Sequence, residues 1–152
     1  MLEFKVKDTP VFEFVPKNGP KDIGDRLFFA DRLTVTTIDD KKVGGDNGLP
    51  AGTHSGFLTA LRFLEVADPY LPGAELLWQQ QATYKLNAVD GNLPPGLKEG
   101  QITAQGLVLV RSHEPLEPVT LAITGGTGAY ANARGQITET KKGTVKTLKI
   151  EL

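Results

Sequence analysis

Residues 121–138 read LAITGGTGAYANARGQIT, and this stretch decides the fold class. Leu121, Ala122 and Ile123 form a short apolar strand that runs into Gly125, Gly126, Thr127 and Gly128, after which a second strand starts near Gln136. Three glycines in four positions admit positive φ and close backbone approach, so a sharp turn between two strands is predicted. A phosphate loop would need a helix opening directly after the glycines, with its free N–H groups facing the anion. The segment Ala129 to Gly135 is too short for that helix and carries no Lys-Ser/Thr pair.

The rest of the chain has the same punctuation. Its 152 residues predict one domain, 1–152, able to bury roughly 70% of its unfolded surface around a core or an enclosed cavity. Seventeen basic residues against 18 acidic ones leave a net charge of −1, so neither nucleic acid nor a membrane is an expected partner. With no cysteine and only two histidines, His54 and His113, thiolate chemistry is excluded and no metal or organic cofactor is expected. No signal-like apolar run follows Met1, which predicts a soluble, cytoplasmic chain.

Seventeen glycines and 10 prolines divide the chain into short runs in which no helical apolar period is sustained. Phe4 to Val6 begins the series. Strands are predicted at 11–15, 26–37, 53–66, 75–87, 101–111, 119–124, 136–140 and 144–152, with a short helix over 56–65 as a competing reading. Residues 39–50, with Gly44, Gly45 and Gly48, form a polar loop expected to be mobile and to cover one mouth; residues 90–100 form a second long loop. Eight strands at regular spacing predict an all-β antiparallel barrel or sandwich.

Alternation within strands locates the candidate site, because residues i and i+2 share a face. Glu13 lies between Val11 and Val15, Asp31 between Phe29 and Leu33, and Gln80 among Trp78, Ala82, Tyr84 and Leu86. An unpartnered polar group on a buried face costs about 1–3 kcal/mol, and a few such groups converging in an apolar cavity make a small-molecule site. The competing reading has Glu13 and Asp31 near the barrel mouths or paired with Arg26, Arg32 or Arg62, with their stripes facing solvent. His54, beside a glycine-rich loop, is expected to be a partly exposed mouth residue, and His113 a surface one. Ser55 forms no triad with His54, since adjacent strand residues face opposite ways. Lys141, Lys142 and Gly143 read as a charged hairpin turn.

The motifs GGTG followed by Tyr130 and Gly135, Gly24-Asp25 before the strand to Leu33, GTHSG at 52–56, and I-x-x-Q-G at 102–106 occur in an order similar to that of allene oxide cyclases, dirigent proteins and their bacterial relatives. This resemblance implies an eight-stranded antiparallel β-barrel of lipocalin-like architecture. A looser similarity extends to spirotetronate cyclases. The resemblance puts Glu13 where plant cyclases carry a lumen glutamate that promotes epoxide opening, and Asp31 where they hold a water with an asparagine. Phe29, Leu58, Trp78 and Val108 match lumen positions that line the substrate, with Gln80 beside them.

The expected function is that of a small-molecule cyclase or isomerase, folding a flexible lipid-like or polyketide-like substrate in an apolar lumen, with Glu13 and Asp31 as catalytic groups. The alternatives are a non-catalytic dirigent-like or ligand-binding barrel, and a barrel whose lumen is simply filled with side chains. Phe12, Phe14 and Phe28 are expected on the outer face, where a homo-oligomer, dimer or trimer, would cover them.

Overall fold

The computed structural model describes residues 1–6, 11–15, 23–63, 76–111 and 114–152. The strands are β1 (Leu2–Val6), β2 (Val11–Val15), β3 (Arg26–Ile38), β4 (Lys41–Lys42), β5 (Leu49–Phe63), β6 (Leu76–Leu86), β7 (Gly100–Arg111), β8 (Glu114–Pro115), β9 (Val119–Gly128), β10 (Gln136–Lys142) and β11 (Val145–Glu151). A single-turn 3₁₀ segment at Gly45–Asn47 stands between β4 and β5.

Eight of these strands close a ring in the order β1, β11, β10, β9, β7, β6, β5, β3 and back to β1, every pair antiparallel. The expected barrel is therefore the fold, and the strand that closes it is Leu2–Val6. β2 lies end to end with β1 along the same edge of β3, pairing with residues 26–30 while β1 pairs with 34–38. Closure removes the free edges that an open sheet of this size would expose.

Several boundaries differ from the sequence expectation. Residues 125–128 are not a turn: β9 continues through Gly128, and the reversal falls between it and Gln136. A Cβ on Gly126 would lie 2.3 Å from the Tyr130 carbonyl oxygen and 2.4 Å from that of Gln101, so glycine is needed for close strand approach. Thr124 is an extra residue in the ladder, between the pairs Ala104 with Ile123 and Thr103 with Gly125, and its hydroxyl donates to the Thr103 carbonyl at 3.2 Å. β5 begins at Leu49 and runs as strand through Phe63, so the helical alternative at 56–65 does not form over its described part. Within 39–50, Asp39 and Asp40 both take positive φ, as a two-residue hairpin between β3 and β4 requires. Gly48 packs so closely on β3 that a Cβ there would lie 2.3 Å from the Val35 carbonyl oxygen, making this segment a folded flap.

Inward rows follow from the registers. At one end Leu2, Ile38, Ala51, Leu86, Ile102 and Ile150 are buried, Leu97 is buried beside them, and the Tyr130 hydroxyl ties this end together by donating to the Lys98 carbonyl at 3.2 Å. At the other end the inward-row residues Leu27, Leu58, Leu76 and Val110 are only partly buried. The lumen is thus plugged at the first end and lined by half-covered apolar side chains at the second. β6 alternates as its sequence implies, with Trp78, Gln80, Ala82, Tyr84 and Leu86 buried.

β2 departs from its expected phase. Directly paired residues of an antiparallel ladder share a face, and the register sets Glu13 opposite Phe28, which is 38% exposed. Phe12 and Phe14 stand opposite Phe29 and Leu27. Glu13 thus occupies the row of Phe28 and not that of Phe29 and Asp31; the side chains of 11–15, like those of Arg62 and His113, lie outside the described residues.

Candidate active site

Asp31, His54 and Tyr84 are direct cross-strand neighbours on β3, β5 and β6. Such neighbours have Cβ atoms about 4.5–5.5 Å apart, so one row of the pleat brings their heads together. Asp31 Oδ2 lies 3.3 Å from His54 Nδ1. The imidazole stacks on Tyr84 with ring centroids 4.7 Å apart and planes inclined by 15°, and Phe29 approaches at 4.7 Å. Phe29 pairs with Gly56 across the ladder, on the same two strands as the Asp31–His54 pair. The ring is thus flanked by two aromatics and held by Asp31 at one nitrogen.

Glu139 comes from β10, across the ring from β5. Its Oε1 accepts hydrogen bonds from the Tyr84 hydroxyl at 2.9 Å and from Gln80 Nε2 at 3.1 Å. His54 Nε2 is 3.9 Å from the same oxygen, beyond hydrogen-bond reach. Lys146 Nζ, on β11, stands 3.7 Å from Oε2. Asp31, His54, Gln80 and Glu139 are all buried, and His54 is fully so. Two buried polar atoms of the cluster have no hydrogen-bond partner, His54 Nε2 and Asp31 Oδ1.

The chemistry follows from these contacts. Nδ1 facing a carboxylate carries a proton, which leaves Nε2 as the atom free to take one up. Asp31 then stabilises the imidazolium that forms, and Glu139 adds a second negative charge on the Nε2 side. Among the described residues no group of three or more His, Asp or Glu side chains is arranged to hold a metal ion.

Burial pushes the Tyr84 phenol well above its ordinary value of 10.0, reinforced by the charge of Glu139 and by its hydrogen bond. Tyr84 therefore stays a neutral donor to Glu139. Because the folded state holds this proton more tightly than the unfolded chain, the stabilisation is complete below about pH 10 and is lost as pH rises through the folded value, by up to about 1.4 kcal/mol per pH unit. Tyr130 is also raised, chiefly by burial, and contributes in the same direction. Urea unfolding followed from about pH 9 to about pH 11 should show a shallower loss of stability in Tyr84→Phe than in the parent. Parallel curves would show that Tyr84 ionises freely in the folded barrel.

Of the residues singled out from sequence, Asp31, Phe29, Trp78, Gln80 and Val108 are buried, and Leu58 is partly buried against the core. His54 is not a mouth residue: six residues into β5 and buried, it is held inward by the register. Gly52 and Gly56 beside it mark close approach of β6, with Cβ positions 1.8 and 2.0 Å from the Lys85 and Gln81 carbonyl oxygens. Glu139 was not singled out at all; its signal is its parity with Ile137 in QITET. Two surface depressions, one around Leu116 and Lys141 and one around Tyr130 and Arg134, share no lining residue with the cluster.

Fold and site together define a closed β-barrel with an acid–base cluster in its lumen. Over almost its whole length the chain is similar to a solved structure, a pyocyanin demethylase, with 26% of residues identical, 98% of this chain and 97% of that one covered, and a TM-score of 0.58. No protein-family model and no curated relative matches the chain.

Proposed function

We propose that this barrel is an enzyme that modifies a small apolar molecule by general acid–base catalysis, of the cyclase or isomerase kind. The observation that carries the proposal is His54: fully buried, fixed at Nδ1 by Asp31, and unpartnered at Nε2. A buried nitrogen without a partner costs free energy that a substrate proton would recover. The similar pyocyanin demethylase, an enzyme whose name specifies a small molecule, supports the class.

In this scheme Phe29, Leu58, Trp78 and Val108 hold the apolar body of the substrate, and Gln80 with Tyr84 keeps Glu139 in place. His54 Nε2 removes a proton from one substrate atom and delivers it to another. Holding the substrate in a reactive conformer contributes the remaining, entropic share. The test is incubation in D₂O with pyocyanin and with a mixed extract of apolar metabolites, read by high-resolution mass spectrometry. The expected result is deuterium uptake or an isomeric product from at least one compound. A barrel that binds compounds and changes none would be a carrier of the dirigent-like kind.

The outer face supports self-association. Phe28 and Leu107, 38% and 59% exposed, lie on this face with Phe57, whose ring is 5.9 Å from that of Phe28 and lies under the Arg26 guanidinium at 4.8 Å. Light scattering should give the mass of a dimer or trimer, and Phe28→Asp should lower it; a parent monomer at micromolar concentration would refute the interface.

A further inference from the structure

We propose that Lys146 binds an acidic group on the substrate, so that the lumen takes a compact apolar acid. This rests on the acid–base reading above for the position of the substrate's reacting atom. Lys146 pairs with buried Val6 on one side and with Lys141 on the other, which places it in an inward row at the half-covered end of the barrel. Its Nζ is 3.7 Å from Glu139 Oε2, too far for a hydrogen bond, and its side chain is 31% exposed. Glu139 already accepts two hydrogen bonds at Oε1, from Tyr84 and Gln80. The ammonium is therefore ion-paired with Glu139 but makes no hydrogen bond to it, and its exposed part can meet a second anion.

Two features give the site its specificity. In the ring of eight strands β6 stands across from β11, so Trp78 and Leu76 face the cationic side of the lumen with an apolar one. Lys141, directly across the ladder from Lys146, has its backbone N–H held by Glu117. The size of the ligand follows from Glu139, which touches His54 Nε2 at 3.9 Å through one oxygen and Lys146 Nζ at 3.7 Å through the other. The acidic group and the reacting atom are thus separated by little more than one carboxylate and its contacts, a span that suits a ring acid better than a long chain. The charged and titratable groups facing the bound acid are Glu139, His54, Asp31 and Tyr84 on the inner side, and Lys141 and Glu117 at the rim.

The test is calorimetric titration of the parent, Lys146→Met and Lys146→Arg with 2-naphthoate and with its neutral isostere 2-naphthamide. The parent should bind the acid about five- to tenfold more tightly than the amide. Lys146→Met should abolish that preference while leaving amide affinity within about twofold, and Lys146→Arg should keep it. The proposal is overturned if the parent shows no preference, if it binds neither probe, or if Lys146→Met weakens both probes equally. The titration reads binding alone, so a preference for the acid keeps Lys146 as a binding group even where the D₂O incubation finds no reaction, a result that refutes only the enzymatic proposal. Turnover that depends on His54 with no acid preference would do the reverse.

Discussion

His54→Asn should lower the rate of the proposed proton transfer by about 10²–10⁴ while the barrel still folds. The side-chain amide of Asn can donate to Asp31 in place of Nδ1–H, so the buried carboxylate keeps a partner. It cannot take up a proton on the Glu139 side. The space vacated between Phe29 and Tyr84 is that of part of one ring, and the loss in stability should be about 1–3 kcal/mol, which lowers the melting temperature of a chain this size by roughly 2–12 °C. Deuterium uptake by the substrate, measured well below that transition, separates chemistry from unfolding. A variant that folds and exchanges deuterium at the parent rate would remove His54 from the mechanism. In that event the buried imidazole is a packing element between two aromatic rings.

Strand lengths and glycine and proline punctuation made an antiparallel barrel or sandwich legible in the chain, and the motif order, by its resemblance, chose the barrel. The site was legible only in part, for reasons that lie in register. Alternation sorts each strand into two faces without saying which face turns inward. On β6 the choice is clear, since Trp78, Ala82, Tyr84 and Leu86 share a side. On β2 both faces are apolar, and only pairing with β3 shows that Glu13 follows Phe28 and Phe12 follows Phe29. The glycines that flank His54 read as loop punctuation in the sequence, yet in the barrel they admit the backbone of β6. Glu139 sits in a strand so polar that parity with Ile137 was its sole mark. Convergence of groups from β3, β5, β6 and β10 is a property of the closed ring, and no local pattern encodes it.

Glu139 should show the largest stability effect of the cluster, and one that depends on the replacement. Glu139→Ala strands two buried donors, the Tyr84 hydroxyl and the Gln80 amide, at about 1–3 kcal/mol each. Lys146 adds little to this, since its partly exposed ammonium can be hydrated. A total of about 2–6 kcal/mol is a large share of the stability of an ordinary domain and corresponds to a fall in melting temperature of roughly 4–24 °C. Glu139→Gln keeps an oxygen to accept both hydrogen bonds and should unfold within about 4 °C of the parent. It removes the negative charge 3.9 Å from His54 Nε2, and with it part of the stabilisation of the imidazolium. At an effective dielectric near 20 that charge is worth up to about 4 kcal/mol before Lys146 offsets it, so turnover should fall by about ten- to a hundredfold. The two variants together separate scaffold from chemistry: a Gln variant that is both stable and fully active would leave Glu139 as a structural carboxylate, holding Tyr84 and Gln80 and taking no part in the reaction.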